Sequence, residues 1–269
     1  MQPFQYHRPA TLEDAKRVLA AEPEASFVAG GHTLLPTMKQ GLARPAALVD
    51  LARIADLRGI REENGLISIG AMTCHAEVAS SALVRERIPA LAGLAATIGD
   101  RHVRNRGTIG GSLANNDPAA DYPAAVLGLG ATVITDRREI AAHDFFVSLY
   151  ETALAPGEII TRVVFPVPQL AAYAKFRSAA SRFAIAGVFI ARTDKGVRVA
   201  VTGAGGVFRA RELESALNKN FRSEALDGLS IDPAGMLEDM NATPGYRAHL
   251  VMVMARRAMQ NPGRALSFK

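Results

Sequence analysis

Two glycine pairs of similar design, Ala29-Gly30-Gly31-His32-Thr33 and Thr108-Ile109-Gly110-Gly111-Ser112, stand in the N-terminal half of the chain, each after an apolar stretch that a strand could supply. A Gly-Gly step admits positive φ and carries no Cβ, so consecutive N–H groups can converge on a phosphate oxygen. Thr33 and Ser112 close the two motifs and each adds a hydroxyl donor. Taken singly, either pair is an ordinary turn or helix cap in a chain with 23 glycines. Taken together, they point to two sides of one anion cradle and to a ligand with a diphosphate in its middle.

The rest of the composition narrows the chemistry. The chain has 269 residues, 49% of them hydrophobic, enough for one large domain or two moderate ones. Its net charge of +5 comes from 31 basic residues spread along the chain and interleaved with 26 acidic ones, and the one basic cluster, Arg101, Arg104 and Arg106 around His102, has no aromatic residues between its charges, so a nucleic-acid platform is not expected. That cluster reads as a solvated loop face, an aid to phosphate binding, or a docking surface. Cys74 is the single cysteine, expected as a small buried apolar group. One cysteine can neither close an intrachain disulfide nor ligate an iron–sulfur cluster. The six histidines are scattered, so no metal site is expected. Residues 1–9 lack the charged start and apolar core of a secretory signal, and no apolar run approaches the roughly 20 residues of a membrane span. The expected address is the cytoplasm.

These motifs need elements to hold them. Thr11 with Asp14 reads as a capped start for a helix carrying Leu12, Ala15, Val18 and Leu19 on one face. Strands are expected over 26–29, 47–51, 66–70, 131–134 and 159–165, with a helical turn over 34–39 and a helix from Pro89 through Ile98. Asp100 to Gly107 reads as a polar loop. Asp121 opens a short helix, at whose N-terminus the helix dipole favours its negative charge. Pro166 and Pro168 mark a boundary between residues 1–167, with subdomains of about 1–53 and 54–167, and residues 168–269. Beyond it come strands within 183–191 and 197–201, then helices, the last capped by Thr243 with Leu250, Val251, Met254 and Ala258 on one stripe. The cluster Gly203-Ala204-Gly205-Gly206 has Phe208 where a dinucleotide fingerprint needs its third glycine, so it reads as a strand-to-helix turn.

The glycine motifs with their neighbours, Ala29 through Pro36 and Thr108 through Asn115 followed by Asp117-Pro118 and Asp121, resemble the two FAD signatures of the medium subunit of molybdenum hydroxylases. The resemblance covers essentially the whole chain, and Met38-Lys39 makes it nearest to the carbon monoxide dehydrogenase type. It implies an α+β fold, with a two-subdomain FAD-binding domain of the vanillyl-alcohol oxidase and MurB-like type and a smaller C-terminal domain of antiparallel sheet and helices. It implies FAD contacts from Ala29, Gly30, Gly31, His32, Thr33, Leu34, Leu35, Thr108, Ile109, Gly110, Gly111, Ser112 and Asp117, with Asp121 near the nucleotide or ribityl portion. Ile159 and Ile160 fall where the family has aliphatic flavin contacts, and Lys175 where a lysine nears the flavin edge; as a residue type it is equally an ordinary surface lysine. Phe183 stands where a relative's tyrosine stacks, or is core. Ser112 replaces a frequent Asn, and the segment Ser181 to Ala186 lacks an acid found near its arginine in relatives.

The implied role is electron transfer in a hetero-oligomer, expected as a dimer of heterotrimers. A large partner would hold the molybdenum cofactor and a small partner two iron–sulfur clusters, and the flavin chemistry would need no catalytic side chain of this chain. A stand-alone FAD-dependent oxidase or reductase and a non-redox nucleotide-binding module are the competing readings.

Overall fold

A computed structural model of the chain describes residues 2–268. Three short parallel strands open it: β1 (Gln5–His7), β2 (Ala25–Val28) and β3 (Ala47–Asp50), in the order β1-β3-β2. Parallel neighbours require crossovers. The helix Leu12–Ala21 makes the first, capped by the Thr11 hydroxyl on the Asp14 amide, and the helix Leu34–Lys39 forms part of the second.

Strands β4 (Ile60–Glu63), β5 (Leu66–Gly70), β6 (Thr132–Thr135) and β7 (Glu139–Ala141) are followed by a two-stranded hairpin, β8 (Phe146–Ser148) with β9 (Glu151–Thr152), and by β10 (Ile160–Pro166). The antiparallel second sheet is ordered β4-β5-β10-β6-β7. Between β5 and β6 run the helices His75–Ser80, Ala82–Arg87, Pro89–Thr97, Arg101–Arg106, Ile109–Asn115 and Tyr122–Leu129. The expected polar loop before the second glycine motif is therefore a helix. Asp100 caps it by accepting the Val103 N–H at 3.0 Å, a start signal followed by too few apolar residues to show a periodic face.

The third sheet comprises β11 (Leu170–Arg177), β12 (Ala184–Thr193), β13 (Gly196–Thr202), β14 (Phe208–Arg209) and β15 (Ala265–Phe268), ordered β14-β13-β12-β11-β15. It is antiparallel except at its edge, where β15 joins β11 in parallel. The Gly203–Gly206 turn leads into β14, not directly into the helix Arg211–Lys219.

Period-two alternation sends the third sheet's side chains to two different cores. Ala171, Tyr173, Phe189, Ala191 and Ala200 pack into the core formed by the second sheet and its helices. Ala172, Ala174, Val188, Ile190, Val199 and Val201 pack on the opposite side with Leu213, Leu250, Val251, Met254 and Ala258. The final helix, Pro244–Gln260, thus presents the expected stripe, and Thr243 caps it. The helix Tyr122–Leu129 is apolar and buried on all sides. Across β11, the same alternation puts Lys175 on the face of Tyr173, toward the shared core.

Arg247, 3% exposed, fastens the last helix to the sheet: Nη1 donates to the carbonyls of Ile185 at 2.7 Å and Gly203 at 2.6 Å, and Nη2 lies 2.7 Å from the Asp239 carboxylate. Arg247→Met keeps much of the apolar stem and strands those carbonyls, so it should lower unfolding free energy by about 2–4 kcal/mol. A urea midpoint equal to that of the wild-type chain would contradict this role.

Candidate functional site: a cavity at the seam of two glycine segments

After β2 the chain turns at Ala29-Gly30-Gly31, with Gly31 at φ 74°, and enters the helix Leu34–Lys39. The second glycine pair is built differently. Gly110 and Gly111 have no positive φ; they lie in the first turn of the helix Ile109–Asn115, whose cap is Thr108. A helix, not a strand, delivers the second motif.

The two segments meet backbone to backbone. A Cβ added to Gly30 would stand 2.3 Å from the Arg106 carbonyl oxygen and 2.7 Å from Gly107 Cα. A Cβ on Gly110 would stand 2.6 Å from that of Ala71. Gly30 and Gly110 are thus required by close approach, Gly31 by its backbone angle, whereas a Cβ on Gly111 would meet Thr108 Oγ1 at 3.0 Å and Ala29 Cβ at 3.4 Å.

The amides of the two segments differ in the same way. In the second, Ile109 N donates to Thr73 O, Gly110 N to Ala71 O, Gly111 N to Thr108 Oγ1 and Ser112 N to Thr108 O, all between 2.8 and 3.1 Å. In the first, the N–H groups of Gly30, Gly31, His32 and Thr33 have no protein acceptor among the described residues. Of the two segments expected as sides of one anion cradle, the first has open amides among the described residues, and the second is a helix start whose amides are taken up within the protein and which braces the first. The Ser112 hydroxyl also makes no bond among the described residues.

Between and beyond these segments lies a cavity of about 650 Å³, within the roughly 300–1,000 Å³ usual for small-molecule sites. Its wall includes Ala29, Gly30, Gly31, His32, Thr33, Leu34, Thr108, Gly110, Gly111, Ser112, Asp117, Asp121, Ile159, Ile160 and Phe183. Three expected residues stand off the wall. Leu35 packs against Gly31 and a small core with Val28 and Met38. Ile109 is fully buried in the main core. Lys175 is fully buried behind the wall, at 2.9 Å from the Asp121 carboxylate, with further donations to Thr97 O at 3.2 Å and Arg182 O at 3.1 Å. Its ammonium therefore acts on the cavity through Asp121, and it is no surface lysine.

Each acidic group at the wall is committed to the protein. Asp121, 4% exposed, also accepts the Tyr173 hydroxyl, and it does not cap the helix it opens. Burial, followed by the neighbouring Asp121 charge, pushes the Tyr173 phenol well up, so it stays a donor. Asp117 accepts the Ala119 N–H at 2.9 Å. Glu158 accepts from Arg138, Thr135 Oγ1 and Ala155 N, and the Arg138 hydrogen bond chiefly pulls its carboxyl down to about 2. At the mouth, Phe183 is 46% exposed, so it is not core, and Arg182, at φ 64°, donates to Gly99 O at 3.1 Å.

Met72, His75, Glu158 and Arg182 also line the cavity without having been expected there. No local pattern marks His75, which reaches the wall because Thr73–His75 bonds across to Gly107–Ile109. The basic residues Arg101, Arg104 and Arg106 do not line the cavity; Arg104 secures the carbonyls of Ile98 and Gly99. Cys74 is half-buried rather than core, at the start of the helix His75–Ser80, where burial raises its thiol pKa.

Because a Cβ at Gly30 would strike a carbonyl, Gly30→Ala should cost about 1–3 kcal/mol, and Gly111→Ala clearly less. Equal thermal midpoints for the two variants would contradict this reading of the seam. The Glu158 carboxyl, with an ordinary pKa of 4.5 when released, contributes stability that is complete above that value and lost as pH falls toward 2. Glu158→Gln should flatten that part of the acid-unfolding profile; an unaltered profile would remove Glu158 from the account.

The sequence profile of the family described as FAD binding domain in molybdopterin dehydrogenase matches residues 2–168. The carbon monoxide dehydrogenase medium chain of Hydrogenophaga pseudoflava is 34% identical, covering 95% of this chain and 96% of its own. The nicotine 6-hydroxylase medium subunit of Paenarthrobacter nicotinovorans is 33% identical, covering 97% of each. Reconstituted CO dehydrogenase from Oligotropha carboxidovorans superposes with a TM-score of 0.88 at 34% identity, over 96% of this chain and 97% of that one. The chain is α+β and belongs to the FAD-binding medium-subunit family of the molybdenum hydroxylases.

Proposed function

We propose that the chain holds one FAD in this cavity and works as the electron-transfer subunit of a multi-subunit molybdenum hydroxylase. Residues 1–167 form the FAD-binding domain in this reading, and residues 168–269 supply the loop with Arg182 and Phe183. The observation that carries it is the row of amides without a protein acceptor at Gly30, Gly31, His32 and Thr33, all residues that line the cavity of about 650 Å³. Four consecutive backbone donors suit a diphosphate, and the Ser112 hydroxyl adds a fifth donor from across the seam.

The remaining wall residues fit the other parts of FAD. Ile159 and Ile160 give an apolar surface, and the half-exposed Phe183 ring offers a face for stacking. Asp121, neutralised by Lys175, can accept from a ribityl or ribose hydroxyl without placing uncompensated charge beside the phosphates. When bound, FAD supplies the redox chemistry, accepting electrons and passing them on, and protein groups only position and polarise it.

A single cysteine leaves the chain unable to ligate an iron–sulfur cluster, so electrons must reach it from elsewhere. In this proposal they come from a small iron–sulfur partner, after substrate oxidation at a molybdenum cofactor in a large partner, and leave to an external acceptor. The assembly is a dimer of such heterotrimers in the cytoplasm. No helix among the described residues is long and apolar enough to cross a membrane.

The purified chain should take up FAD at one per chain, with the yellow flavin absorbance. Gly31→Val should fail to retain it, since a β-branched residue is strained at φ 74°. A folded wild-type chain that refuses added FAD, or a Gly31→Val variant with full flavin content, would refute the assignment. Turnover of a substrate by the isolated chain would favour a stand-alone oxidase or reductase instead.

A further inference from the structure

His75 stands at the wall of the cavity, and nothing above gives it a role. Its backbone N–H donates to Gly107 O at 2.9 Å, and its ring lies over Gly107, where an added Cβ would come within 2.6 Å of Nε2. Gly107 in turn abuts Gly30, so the imidazole and the first glycine segment pack against the same residue and line the same cavity. The residue is 5% exposed, and Nδ1 has no hydrogen-bond partner among the described residues.

An enclosed ring nitrogen without an acceptor is better left as a bare lone pair than as an N–H, because a stranded donor forfeits its hydrogen bond. That places the proton of the neutral ring on Nε2, on the Gly107 side. We propose that His75 is a further ligand contact, its Nε2–H donating to a phosphate or ribityl oxygen of the nucleotide held by Gly30–Thr33. Burial, with His32 and Arg104 nearby, brings its pKa down to about 4, so at neutral pH it is an uncharged donor that adds no positive charge to the site. The inference rests on the FAD reading above.

Two measurements on the full chain test it, both with FAD as the probe. In a fluorescence-quenching titration, His75→Phe removes the donor and should weaken binding about 10- to 100-fold. His75→Gln, which restores an N–H, should recover affinity to within roughly fivefold of wild type. In the wild-type chain with ¹⁵N-labelled histidine, FAD should move the His75 Nε2 resonance, a readout that does not depend on any variant folding. A folded His75→Phe chain with wild-type affinity, a His75→Gln chain as weak as His75→Phe, or an unmoved Nε2 resonance in FAD-saturated protein would each overturn the contact. A wild-type chain that binds no FAD would overturn the functional reading itself, and this contact with it.

Discussion

The structure depends on a contact between two backbones. Gly30 lies so close to the carbonyl of Arg106 and the Cα of Gly107 that no side chain fits between them. The turn that leaves β2 of the parallel sheet and the helical layer that leads to Thr108 are joined there, and the cavity opens at their junction. The second glycine motif uses its amides on Ala71, Thr73 and Thr108, which fixes it rigidly against the end of β5. Against that brace the first segment is left with its own amides free. Donors that are fixed before a ligand arrives lose little freedom when it binds, which is how preorganisation raises affinity.

Charge at the cavity follows a second constraint. A diphosphate ligand is anionic, yet Asp117, Asp121 and Glu158 all belong to the wall. The fold resolves the conflict by committing each carboxylate to protein donors: Asp121 to Lys175 and Tyr173, Glu158 to Arg138 and Thr135, Asp117 to a backbone amide. Lys175 and Tyr173 reach Asp121 only because β11 of the third sheet turns that face toward the shared core. The last third of the chain therefore shapes the site electrostatically as well as through Arg182 and Phe183.

Much of this was legible in the sequence, and the misses have physical causes. Local signals succeeded where structure is local: the Thr11 and Thr243 caps, the Leu34–Lys39 helix after its glycines, and the stripe of the final helix. The helix Arg101–Arg106 escaped because five of its six residues are polar or charged and it is stabilised by a cap, not by an apolar face. The two glycine pairs look alike as text, but a Gly-Gly step is used at one site for positive φ and at both for close packing, a difference set by partners far away in sequence. Lys175 could be read as a cavity residue or a surface lysine; its burial depends on Asp121, which lies on another element. His75 has no local signature, because its neighbour Gly107 comes 32 residues later.

The central claim is that the first glycine segment, and not the second, presents the backbone amide donors for the nucleotide. An amide-resolved ¹H–¹⁵N spectrum of the chain with and without FAD tests it most directly. The account predicts large downfield shifts and exchange protection for the amides of Gly30, Gly31, His32 and Thr33, with those of Ile109 and Gly110 protected already in the free chain. Unchanged amides at Gly30–Thr33 in FAD-saturated protein would contradict it.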